Sequence, residues 1–152
     1  MTQTLLVCRI IAGALIFGVV AFGTVAVVLR LGEPPGQNSF VSAIGAGFAF
    51  VTVIARQMFI GFLGGRTASQ VPGTTSAALA SYQTRMIAGL AILEGAAFFN
   101  LICYLIEGHW WSLAVVAALL AWMIASYPTR TRLLHWVEDR EQLKTFGPDR
   151  IA

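Results

Sequence analysis

Residues 86–106 read MIAGLAILEGAAFFNLICYLI: 21 positions with one acid, Glu94, one amide, Asn100, and no basic residue. About 20 mostly apolar residues in a helix cross the roughly 30 Å hydrocarbon core of a bilayer, and this stretch has that length. Working outward from it, three more stretches of the same character appear: about Leu5–Leu29, about Phe40–Leu63 and the shorter Trp110–Tyr127. The expected fold is therefore all-α. It is an integral membrane four-helix bundle over residues 1–128, followed by a tail over residues 129–152.

Composition points the same way. The chain is 57% hydrophobic and 11% charged over 152 residues. Soluble domains carry about 25% charged and about 45–50% apolar residues. A chain this small has too high a surface-to-volume ratio to hide that much apolar surface from water, so lipid is the expected solvent and partner. The net charge of +3 does not point to nucleic acid, because the basic residues sit at helix ends and in the tail.

The breaks between the apolar runs are equally legible. Gly32-Glu33-Pro34-Pro35-Gly36-Gln37-Asn38 is a turn-rich polar loop, since proline and glycine punctuate helices. Gly64–Thr84 reads as the longest connection, a flexible linker rich in Gly, Ser, Thr and Ala. Glu107-Gly108-His109 is a tight turn with Gly108 suited to a helix C-cap, and Pro128 ends the fourth helix. The first run exceeds the roughly 7–15 residue core of a signal peptide and has Arg9 embedded in it, so it reads as a retained helix.

Orientation follows from the basic residues of the short loops. An even number of spans puts Arg66, Arg85, Arg130, Arg132, Arg140, Lys144 and Arg150 on one side, and Arg30 with Glu33 and Glu107 on the other. The expectation is N-in and C-in, with both termini cytoplasmic at the cell (inner) membrane. Trp110 and Trp111 then mark the outer interface; Tyr82, Tyr127 and Trp136 mark the inner one. Thr129–Lys144 alternates apolar and charged residues and reads as an amphipathic helix lying on the inner leaflet. Cys8 and Cys103 fall in opposite leaflets, which excludes a disulfide between them and leaves two buried free thiols.

Few function classes survive this reading. Two cysteines and two histidines without metal-ligand spacing point to no zinc or iron–sulfur site. No histidine lies inside a span to hold a haem, so no cofactor is expected. Ser69, Thr74, Thr75 and Ser76 have no base beside them, and no enzyme is expected.

Charges inside spans are costly and mark candidate sites. Arg9, Arg56 and Glu94 are three such charges. At about 1.5 Å per residue they lie ~6–8, ~10 and ~13 Å from the inner ends of their helices, all in one leaflet. Ser42, Gly45, Ala49, Thr52 and Arg56 recur at intervals of three or four, forming one small or polar stripe. Leu90, Ala91, Glu94, Ala97 and Phe98 share a face of the third helix, and Arg9, Ala12, Gly13 and Ile16 share a face of the first. The economical arrangement turns these faces together, pairing Arg56 with Glu94 and keeping Arg9 nearby. Asn100, Thr52 and Ser42 are then interhelical polar contacts. An opposite charge nearby favours the charged form of a carboxylate, so such a pair speaks for a structural lock over an ion carrier.

Ala43-Ile44-Gly45-Ala46-Gly47 on one helix and Met86–Ala96 (MIAGLAILEGA) on the next resemble the hairpin of the ATP synthase c-subunit proteolipids, and Ala55-Arg56-Gln57 resembles that family's polar-loop Arg-Gln. The resemblance implies a glycine-rich helix packed on one bearing a membrane-embedded carboxylate that carries a proton or sodium ion, here Glu94. Leu93-Glu94-Gly95 with Pro128-Thr129-Arg130 also resembles a pattern in small uncharacterised bacterial four-helix membrane proteins, which brings no activity. The resulting expectation is a small non-catalytic membrane protein, an accessory or homo-oligomeric subunit. The alternative is a proteolipid-like ion-binding protein centred on Glu94.

Overall fold

A computed structural model describes the backbone of residues 2–70 and 75–129, and the side chains of residues 5–62 and 80–129. Helix α1 spans Thr2–Leu29, α2 Phe40–Gln70, α3 Thr75–Glu107 and α4 Trp110–Ala125. Among the described residues there is no β-strand. Three helices, over Leu5–Leu29, Phe40–Phe62 and Ala80–Glu107, are long and apolar enough to cross a membrane. Helix α4 has 16 residues, about 24 Å at the helical rise. The tail helix expected over Thr129–Lys144 lies outside the described residues, apart from Thr129.

The region 64–84 is not a long linker. Helix α2 continues to Gln70 and α3 starts at Thr75, leaving four positions, 71–74, between them. The physical reason is propensity. Glycine, serine and threonine weaken a helix without stopping it, and Ala77, Ala78 and Ala80 favour helix.

At the opposite end of the bundle the turns are short. Gly108, at φ +72°, donates its N–H to Tyr104 O at 2.7 Å. This is the left-handed glycine cap that ends α3 and frees the chain to reverse into α4. Gly32, at φ +87°, makes the corresponding exit from α1. This connection end holds the start of α2, the end of α3 and the start of α4. The far end holds the start of α1 and the end of α4.

Helix α3 packs against all three other helices, while α1 and α2 scarcely touch each other. Its Leu90, Leu93, Ala96, Ala97 and Leu101 are buried, together with Ala12 and Val19 of α1, Ala49 of α2, and Val116, Leu119 and Met123 of α4. Outside this core the surface is apolar: Phe17 is 72%, Phe50 69% and Met58 71% exposed. Such surface is unfavourable in water and marks contact with lipid or another chain.

Among the described helical glycines, Gly45 has the least room for a side chain. A Cβ there would lie 2.9 Å from both Asn100 Oδ1 and Cys103 Sγ. Asn100 is not free to move away, because its Nδ2 donates to Gly45 O at 3.1 Å and Ala96 O at 2.9 Å. Gly45→Ala is therefore expected to destabilise the bundle by about 1–3 kcal/mol through overpacking, read as a lower melting temperature in detergent. Gly47→Ala, where a Cβ meets nothing within 4 Å, is the matched control and is expected to stay within about 0.5 kcal/mol of the parent.

Candidate functional sites on the seams of α3

Helix α3 makes one seam with α2 and another with α1, and the polar residues divide between them. On the α2 side, the stripe Ser42, Gly45, Ala49, Thr52 and Arg56 faces α3, with every member buried except half-buried Thr52. Its partners are Gly89, Asn100, Cys103 and Glu107.

Glu107 closes this seam at the connection end. Its Oε1 accepts from Val41 N and its Oε2 from Ser42 N, both at 2.7 Å. The first helical carbonyl of α2, Ser39 O, accepts from Ala43 N at 2.9 Å, which makes Val41 and Ser42 the second and third residues of the helix. These are amides that an α-helix leaves without an internal acceptor. A capping carboxylate normally comes from the helix's own cap residue; here it comes from 65 and 66 positions along the chain. Its negative charge also meets the positive end of the α2 dipole. Glu107 O accepts from Gly36 N at 2.7 Å, and Asn38 O lies 3.1 Å from His109 Nε2. Arg30 pairs with Glu33 at 2.5 Å and lies against Gly108.

Arg56 sits near the other end of the same seam. It is buried, its Nε donates to Gly89 O at 3.0 Å, and its guanidinium carbon lies 5.9 Å from the centre of the Trp122 ring on α4. One turn on, Arg85 Nη2 donates to Ile60 O at 2.7 Å. Arg56 and Arg85 line a cavity of about 350 Å³ together with Ile60, Tyr82, Leu90 and Ser126.

Glu94 belongs to the α1 seam. A Cβ on Gly18 would lie 3.5 Å from Glu94 Oε1 and 3.8 Å from the tip of Phe98. Phe98 stacks edge-on against Phe22 of α1, ring centres 5.5 Å apart. Glu94 is half-buried beside exposed Ala91 and Gly95. The expected Arg56–Glu94 pair is not made. Among the described residues the only ion pair is Arg30–Glu33, and Glu94 makes no hydrogen bond. The reason is helical azimuth. The five residues from Gly89 to Glu94 rotate the side chain by about 140°, so a helix that touches Gly89 is on the wrong side of α3 to reach Glu94. Arg9 is elsewhere again: it is exposed, its Nε donates to Pro128 O at 3.3 Å, and its carbonyl accepts from Tyr127 Oη at 3.4 Å. These contacts tie the start of α1 to the end of α4.

No family model, curated protein or solved structure matches this chain. Its site residues therefore rest on geometry alone.

Cys8 and Cys103 are buried free thiols. The hydroxyls of Ser42 and Ser112 and Asn100 Oδ1 are buried without a hydrogen-bond partner; Ser42 joins the seam through its backbone N–H. Glu107 is the residue whose role sequence reasoning missed. The available signal was an acid on the last turn of one helix, on the same side as the start of another. Removing it leaves one buried and one part-buried amide unsatisfied. Glu107→Ala is expected to lower stability by about 1–3 kcal/mol and to speed hydrogen exchange selectively at the Val41 and Ser42 amides. Glu107→Gln keeps one acceptor and should fall between. Unchanged exchange at those two amides in Glu107→Ala would refute the clamp.

Proposed function

We propose that this protein is a non-catalytic, multi-pass membrane subunit that assembles with further copies of itself or with other membrane chains. All four helices cross the bilayer, with both termini on the cytoplasmic side of the cell (inner) membrane. Arg9 and Arg85 at the far end, against Arg30 at the connection end, support that orientation. Exposed Trp110 at that end suits an outer interfacial position.

The observation that carries the assembly reading is Glu94. A carboxyl group deep in a span is costly without a partner, and Glu94 has none among the described residues. It stands at the edge of an open α3 face with Ala91, Gly95 and Ile102 exposed. Small residues let a second helix approach closely in a membrane, and polar side chains then bond across the contact. In this reading the missing partner of Glu94 is on another chain.

One observation favours a second reading, an ion-binding role of proteolipid type. The objection to it was an arginine holding Glu94 in its charged form, and Arg56 is turned toward Gly89 instead. Against it, the Arg56-Gln57 pair that resembles the proteolipid loop lies inside α2, which runs on to Gln70.

Two measurements on the purified chain in mild detergent separate the readings. For a self-assembling subunit the mass is that of an oligomer, Glu94→Leu dissociates it, Glu94→Gln retains it through a side-chain hydrogen bond, and dicyclohexylcarbodiimide leaves Glu94 unmodified. For an ion carrier, the reagent modifies Glu94, with protection by added ion or raised pH. A monomer whose mass and carbodiimide inertness are indifferent to Glu94→Leu would sink both.

A further inference from the structure

Arg56 poses a problem that the α2–α3 packing does not solve. A guanidinium has five N–H donors and no acceptor. Here one of them, Nε, is spent on Gly89 O, and no acceptor among the described residues meets the terminal nitrogens. No carboxylate among the described residues lies within ion-pair distance of it. The residue is only 9% exposed, and buried charges in proteins are otherwise paired.

The surroundings of Arg56 show what would complete it. The cavity of about 350 Å³ has no acid among its described lining residues, but is lined by a second arginine, Arg85, and by Tyr82 and Ser126. Its apolar wall is Ile60, Met86 and Leu90. The volume is at the lower end of the roughly 300–1,000 Å³ typical of small-molecule sites. Planar guanidinium groups bind phosphate oxygens through paired N–H donors, and basic pockets between membrane helices on the cytoplasmic side take anionic headgroups.

We propose that this cavity is a binding site for a phosphate-bearing anion, held by Arg56 and Arg85 with Tyr82 and Ser126 as neutral donors. The anion has two sources, the headgroup of an anionic phospholipid or free phosphate. The lipid source rests on the membrane reading above; the phosphate source does not. The site is separate from Glu94, which faces α1.

The test uses the purified full chain in detergent with three probes: phosphatidylglycerol, phosphatidylcholine and inorganic phosphate. Binding is read by native mass spectrometry and by the shift in melting temperature. The expected result is retention of phosphatidylglycerol at least about 10-fold stronger than of phosphatidylcholine, one decade of affinity, with Arg56→Gln reducing the preference by a similar factor. Arg85→Gln leaves Arg56 and its Gly89 bond in place, and is expected to weaken the lipid by about 3-fold or more, since a charge-assisted contact is lost. It carries the test if Arg56→Gln fails to fold. If inorganic phosphate alone stabilises the chain in an Arg56- or Arg85-dependent way and displaces the lipid, the site serves a soluble anion. Equal retention of the two lipids with no effect of phosphate, or unchanged binding in both folded variants, would overturn the proposal.

Discussion

Helix α3 has to satisfy three neighbours at once, and that constraint organises the rest of the chain. It is the only helix with α1, α2 and α4 all packed firmly upon it, so each of its residues has a single azimuth and a single neighbour. Gly89, Asn100, Cys103 and Glu107 go to α2; Glu94, Phe98 and Leu101 go to α1. Once those directions are set, an arginine on α2 and a glutamate on the α1 side of α3 cannot meet, however well their depths match. Two separate polar sites result in place of one neutral pair.

The α2 seam is also where backbone chemistry and helix packing reinforce each other. At one end Glu107 supplies acceptors to the first turn of α2. In the middle Asn100 reaches across to Gly45 O, possible only because Gly45 has no side chain in the way. Near the other end Arg56 donates to Gly89 O. Each contact joins a side chain on one helix to backbone on the other, and in an apolar environment such bonds have little competition from water. The α1 seam has no such ladder: its members are Gly18, Gly23, Phe22 and Phe98 around one unpartnered carboxyl group. The first seam has the character of a fixed joint, and the second leaves Glu94 without an ion-pair partner among the described residues.

Much of this was legible in the residues. The apolar runs located four helices, and Gly108 and Pro128 placed their ends within a few positions. The three-and-four spacing of Ser42, Gly45, Ala49, Thr52 and Arg56 identified the face of α2 that is buried. What misled was composition in the region 64–84, where many weak helix formers resembled a linker although α2 runs on to Gln70 and α3 begins at Thr75. Glu107 was taken as a turn residue, because its partners, Val41 and Ser42, lie 65 positions or more away and offer only backbone.

The sequence by itself determined the number of helices, the apolar character of the surface and the level of each charge along its helix, because helix periodicity and hydropathy are local and every residue advances a helix by a constant rise. It placed Arg56 and Glu94 at nearly one level. Only the tertiary structure decided which way each of them points. Azimuth on α3 acquires meaning when the neighbours choose their seams, and that choice depends on close contacts at Gly18, Gly45 and Gly89 summed over whole helices, which no single stretch of sequence contains.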